Sequence, residues 1–109
     1  KKAPFAKVGR EVVWDKARRC FLIRDHVDAR HGAFVEVFFH CHPGCAVNKT
    51  DGGFWVGRGD AGVRLYPDNA LETEVVCGSE APVMGWYSPG FNKIAPCATI
   101  RCFGAFEWR

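Results

Sequence analysis

Long apolar runs are missing from this chain of 109 residues. Nothing approaches the roughly 18 continuous apolar residues of a membrane-spanning helix, so no such span is expected. No stretch of helical length repeats its apolar residues every 3.6 positions, which excludes an amphipathic helix as an organising element. Low-complexity tracts and long runs of one charge are also absent, which argues against a disordered tail. The net charge is only +3, and Arg18, Arg19, Arg58, Arg64, Arg101 and Arg109 are scattered among acids. The stripe of positive charge expected of a nucleic-acid-binding domain is therefore lacking. Lys1 and Lys2 are not followed by an apolar segment, so no secretory signal is read there. The chain does not begin with Met, and the expectation is a polypeptide that is processed, excised or part of something longer. No Gly-x-Ser-x-Gly elbow occurs, and no cysteine carries a local signature of a nucleophile.

What is present reads as β-structure. Arg10–Trp14, Cys20–Arg24, Ala33–His40, Phe54–Val56, Val63–Tyr66, Glu72–Val76 and Ala98–Phe103, running on to Trp108, are rich in β-branched and aromatic residues. Between them lie turn signals: Asp15-Lys16-Ala17, Arg30-His31-Gly32, Thr50-Asp51-Gly52-Gly53, Gly57-Arg58-Gly59-Asp60, Tyr66-Pro67-Asp68-Asn69 and Ser88-Pro89-Gly90. Short strands joined by tight turns predict an all-β protein, an antiparallel β-sandwich over residues 1–109 as one domain. The sandwich is read as a piece of a larger one. In the third strand Val35, Val37, Phe39 and Cys41 share the side expected to face the core; Phe34, Glu36, Phe38, His40 and His42 share a mixed side. Ile100, Cys102, Phe106 and Trp108 are likewise in phase. Asp25, His26 and Asp28 are placed in a turn after the second strand.

Six cysteines allow fifteen pairings. Several lie inside apolar runs, where Cys behaves as a small buried hydrophobe, and free thiols are expected, with disulfides as the alternative. Cys41-x3-Cys45 and Cys97-x4-Cys102 do not make a closed four-cysteine zinc pattern.

Four places merit a functional reading. His40-x-His42 puts two imidazoles on one side of a strand, about 6.5–7 Å apart at Cα, within reach of one zinc ion. Glu36, His26, His31 or Asp25 would have to complete that set. The plainer reading is of histidines hydrogen-bonded where the strand runs into Pro43-Gly44. Trp86 and Tyr87 precede Ser88-Pro89-Gly90, expected to be a turn with Pro89 at its second position and Gly90 at positive φ. They bury against a neighbouring sheet or domain, or stack on a sugar. Trp55 is a third candidate for sugar contact. Gly57-Arg58-Gly59-Asp60-Ala61-Gly62 looks glycine-rich, but no helix follows it, so it reads as a hairpin loop and not a phosphate cradle.

Taken in order, Gly9-Arg10-Glu11-Val12-Val13-Trp14, Phe21-Leu22-Ile23-Arg24-Asp25-His26-Val27, Val37-Phe38-Phe39-His40-Cys41-His42-Pro43 and Gly85-Trp86-Tyr87-Ser88-Pro89-Gly90-Phe91, with Pro96 beyond, resemble the C-terminal β-sandwich region of the heparinase II/III-like polysaccharide lyases. The resemblance implies β-elimination of uronic-acid polysaccharides: the carboxylate is neutralised, a base takes the C5 proton and an acid assists the 4-O leaving group. In such lyases those groups come largely from a helical toroid, with a histidine from the β region nearer its start. The implied role here is to brace the toroid and close one side of the substrate cleft, with no catalysis by this chain alone. His40 falls on a family motif position, but no catalytic residue is carried over. The implied partners are an acidic polysaccharide and a toroid of the same parent protein, in a periplasmic or secreted setting. A stand-alone carbohydrate-binding module using Trp86, Tyr87 and Trp55 is the alternative, and a small metal-binding β protein using His40 and His42 is the third.

Overall fold

The computed structural model describes residues 6–29 and 32–106. The described residues hold twelve strands and no helix, and every pairing with an assigned register is antiparallel. The fold is all-β. It divides into two compact units, Lys1–Ala33 with Ala105–Arg109, and Phe34–Gly104.

The first unit is a long hairpin of β1 (Ala6–Asp15) and β2 (Cys20–Ala29), paired from Ala6↔Ala29 to Asp15↔Cys20. Asp15 Oδ1 accepts the Arg18 N–H at 3.0 Å and Arg19 takes φ 54°, so a side-chain acceptor and one left-handed residue close the loop. The register sets Val8, Val12 and Trp14 on the same face as Phe21, Ile23 and Val27, interrupted by the Arg10–Asp25 ion pair at 2.6 Å. Trp14 and Phe21 touch at 4.7 Å between ring centroids. Asp25, His26 and Asp28 lie inside β2 and not in a turn as the sequence suggests. Cross-strand partners explain the difference: Asp25 faces Arg10, and Asp28 faces Lys7. Opposite charges directly across an antiparallel pair make a strand tolerable for acids that otherwise favour turns.

The second unit is a small sandwich. One sheet has the order β3-β12-β7, from Ala33–His40, Ala98–Phe106 and Glu72–Cys77; the other is the meander β4-β5-β6, from Ala46–Thr50, Gly53–Arg58 and Ala61–Leu65. Along β3 and β12 the contacts Phe34 to Phe103, Glu36 to Arg101 and His40 to Thr99 run in opposite directions, so this pair is antiparallel too. The meander turns at Asp51-Gly52 and Gly59-Asp60, with Gly52 at φ 77° and Gly59 at φ 61°. Between the sheets lie Phe54, Ile100 and Cys102, all buried, against Val37, Phe39 and Cys41 of the β3 arm and Val47, Val56, Leu65 and Leu71. Val37, Phe39 and Cys41 thus face the core, as the alternation requires. Burying one such large side chain is worth about 1.5–3 kcal/mol. Phe106 is exposed, and Trp108 and His31 lie outside the described residues.

Two minor hairpins complete this unit: β8 (Ser79–Glu80) with β9 (Val83–Met84), and β10 (Trp86–Gly90) with β11 (Lys93–Pro96). The Gly85 carbonyl ties them to the main sheet, accepting the N–H groups of Gly78 at 2.9 Å and Cys97 at 2.8 Å. The second hairpin corrects one expectation. Ser88-Pro89-Gly90 belongs to β10, and the reversal is made by Phe91-Asn92, with Asn92 and not Gly90 at positive φ, 56°. A break in register between Tyr87 and Gly90 accommodates Pro89, whose missing N–H would interrupt a regular ladder, and Asn tolerates the left-handed conformation.

Candidate functional site

The end of β3 and the start of β10 meet. His40 is the last residue of β3, and His42 stands just past it in the His42-Pro43-Gly44-Cys45 turn, which closes with Cys45 N–H donating to His42 O at 2.8 Å. Pro43 stops the strand here because it has no N–H for the ladder. The His42 ring lies 5.4 Å from that of Tyr87, tilted at 55°. Residues 45 apart in sequence are thereby joined into one exposed surface. Tyr87 is 39% exposed.

The two histidines are otherwise occupied differently. His40 Nδ1 sits 3.1 Å from the hydroxyl of the buried Thr99, and its ring is stacked with that of Phe38 at 6.2 Å and 10°. His42 Nδ1 accepts the Gly44 N–H at 3.0 Å. A neutral imidazole accepting at Nδ1 carries its proton on Nε2. His42 therefore offers an N–H on its other edge. Glu36, named above as a possible third ligand, is engaged by Arg101 Nε at 2.6 Å. Among the described residues no group of three or more His, Cys, Asp and Glu side chains converges as a metal ion would require.

Trp86 and Tyr87 point to different ends. Trp86 is half-buried and donates Nε1–H to Ser79 O at 2.8 Å, so its polar edge is taken up inside the fold, while Tyr87 stands outward. Trp55 makes no ring contact with either among the described residues. Its indole instead lies flat on the meander, over Gly57 and Gly62, which pair across β5 and β6. A Cβ at Gly57 would come within 2.5 Å of Trp55 Nε1, and one at Gly62 would collide with Trp55 Cζ2. The two glycines leave the room this ring occupies. Its cross-strand neighbours Asn48 and Arg64 are exposed.

Arg58 is the residue that reading the sequence as a hairpin loop misses. It ends β5 and lays its guanidinium against Gly44: a Cβ there would be 3.1 Å from Arg58 Nε and 3.3 Å from both Arg58 Cζ and His42 Nδ1. Its local neighbours, Gly57 and Gly59, hide this, because the contact is made with a different strand end.

On the mixed side of β3, Arg101 lies 3.9 Å over Phe103 and 5.9 Å from the centroid of Phe34, paired also with Glu74 at 3.0 Å. Ion pairs and ring contacts together satisfy this guanidinium, which makes it a brace of the sheet. The six cysteines are free thiols: Cys97 and Cys102 are buried, Cys41 and Cys45 half-buried, and Cys20 and Cys77 exposed. The last two depart from the expectation that an apolar neighbourhood in sequence means burial. No protein family, curated protein or solved structure matches the chain.

Proposed function

We propose that this chain is the β-sandwich portion of a heparinase II/III-like polysaccharide lyase, bracing a helical toroid and lining one side of its cleft for β-elimination of uronic-acid polysaccharides. The observation that carries the reading is the meeting of His42 and Tyr87 at 5.4 Å. These residues come from the Phe-Phe-His-Cys-His-Pro and Gly-Trp-Tyr-Ser-Pro-Gly segments on which the resemblance rests. An exposed aromatic with a polar edge, beside an imidazole offering an N–H, suits contact with a sugar ring and its hydroxyls. The exposed rings of Phe34 and Phe38 supply apolar surface for a neighbouring domain. The chain alone is assigned no catalysis. An antibody against it, used on a lysate of the source cells, tests the reading. A polypeptide several times longer is the expected result. A polypeptide of this chain's own mass would remove the toroid and with it the lyase assignment.

One observation favours a second reading, a stand-alone carbohydrate-binding module. Trp55 lies flat on Gly57 and Gly62, and a half-buried indole seated on a sheet is a platform on which a sugar ring stacks. Loss of oligosaccharide binding in Trp55→Ala, with binding retained in Tyr87→Ala, would place the contact on the meander.

A further inference from the structure

We infer that Arg58, His42 and Tyr87 form a subsite that takes the carboxylate of an acidic sugar, an inference that rests on the carbohydrate reading above. Four observations lead to it. The Arg58 guanidinium and the His42 imidazole share one floor, the Cα of Gly44, each within 3.1–3.3 Å of where a Cβ would stand. Gly44 is not at positive φ, so its backbone conformation does not call for glycine, and room for those two side chains does. Next, among the described residues no carboxylate lies within 4.0 Å of Arg58, whereas Arg10, Arg18 and Arg24 each have one and Arg101 has two. Arg58 is thus positioned against backbone yet keeps its charge unneutralised. Third, the Gly44 N–H holds His42 Nδ1 at 3.0 Å, which leaves Nε2–H as a donor for a ligand. Finally, Tyr87 stands 5.4 Å from the His42 ring with a phenol and an exposed ring face.

The chemistry selects the ligand. A guanidinium is a planar fork that matches a carboxylate with two parallel hydrogen bonds. Nε2–H and the phenol hydroxyl supply further donors for ring hydroxyls. The Tyr87 face suits the apolar face of a pyranose ring, which an acidic peptide side chain does not possess. The scatter of Arg and Lys among acids, with no basic stripe, excludes a nucleic-acid backbone.

The test is calorimetric titration of the full chain, at about 0.15 M salt to limit unspecific attraction, with two probes: a glucuronate-containing tetrasaccharide and its carboxyl-reduced counterpart. The acidic sugar should bind about tenfold tighter, as one charge-assisted bidentate pair gives. Arg58→Ala should abolish that preference, weakening binding of the acidic sugar more than that of the reduced one. Arg58→Lys should restore part of it, since charge returns without the fork. Gly44→Ala should weaken binding of the acidic sugar selectively, by pushing the guanidinium off its floor. Arg58 is exposed, so its variants keep the fold, and circular dichroism checks this. Equal binding of the two sugars, or a preference that survives Arg58→Ala, would overturn the subsite and leave the carbohydrate reading standing. Binding of neither sugar would overturn both.

Discussion

The hairpin of β1 and β2 and the sandwich of residues 34–104 are built from the same kind of sequence, yet they use it differently. Val12-Val13-Trp14 and Phe21-Leu22-Ile23 are as apolar as anything in the sandwich, but Val8 is 75% exposed and Phe21 66%, against 0% for Ile100 and 3% for Phe54. β-propensity and cross-strand pairing are enough to define a strand. Burial needs a second layer. The sandwich supplies one by setting β4-β5-β6 against β3-β12-β7, with Phe54 and Ile100 between. The hairpin is held by its ladder, by the Arg10–Asp25 and Arg24–Glu11 pairs and by the Trp14–Phe21 contact, and a lone two-stranded ribbon of this kind is marginal.

The largest effect that would break this comparison comes from truncating one aromatic in each region. Phe54→Ala should destabilise the chain by about 3–5 kcal/mol in urea unfolding, because transfer and cavity terms add in a closed core. Phe21→Ala should cost only about 0.5–1.5 kcal/mol, the worth of its ring contact with Trp14. Equal losses would mean that the hairpin face is packed in solution. Glycines give the next contrast. Gly85 is at φ 81°, and a Cβ there would stand 2.8 Å from both Gly78 N and Val76 O. Gly85→Ala should therefore cost at least about 1–3 kcal/mol in backbone strain, with the clash added. Gly9 in β1 has nothing within 4 Å of its would-be Cβ, so Gly9→Ala should be neutral or stabilise by roughly 0.4–1 kcal/mol. Thermal unfolding of the two variants side by side checks both signs.

How much of this was legible follows from the same contrast. Strands with β-branched and aromatic residues were readable, and so was the side of β3 that carries Val37 and Phe39. β4 was not: Ala46-Val47-Asn48-Lys49-Thr50 offers one apolar β-former, Val47, toward the core, and its pairing with β5 compensates for weak local preference. Asp25 and Asp28 resembled turn acids because the charges that hold them in a strand, Arg10 and Lys7, lie on β1, 15 and 21 residues away in sequence. At the candidate site, His42 and Tyr87 stood out individually for their chemistry, but nothing in their spacing shows that they touch. Arg58 was hidden among glycines that serve Trp55, and its partner surface, Gly44, is a residue with no side chain to notice.

The thiols extend the comparison to chemical reactivity. Cys20 at the end of the hairpin loop and Cys77 at the end of β7 are exposed, whereas Cys97 and Cys102 are buried, and burial pushes the Cys102 thiol above its ordinary pKa. The thiolate is the reactive form, so both access and ionisation protect Cys102. Alkylation at pH 8 followed by mass spectrometry should mark Cys20 and Cys77 first. Cys102 should react only after denaturant is added. Early labelling of Cys102 would show that the sandwich opens as easily as the hairpin frays.

The smallest effect is a pH dependence confined to the hairpin. Arg10 donates two hydrogen bonds to Asp25, at 2.6 and 2.9 Å, and this holds the Asp25 carboxyl below its ordinary value of 3.8. A carboxylate whose pKa is depressed in the folded state binds fewer protons there than in the unfolded chain. Its contribution is therefore complete above the unfolded value and fades as the pH falls through the folded one, which here lies below 3.8. The pair is partly solvated, so the loss should be modest and further reduced by salt. Amide exchange along Arg10–Trp14 and Phe21–Asp25 should accelerate relative to intrinsic rates below that pH, while Ile100 and Cys102, on a strand with neighbours on both sides, keep their protection. Asp25→Asn should abolish the acid-induced step and leave the hairpin at its low-pH protection throughout. A step that persists unchanged in Asp25→Asn would show that the Arg10–Asp25 pair is not its source.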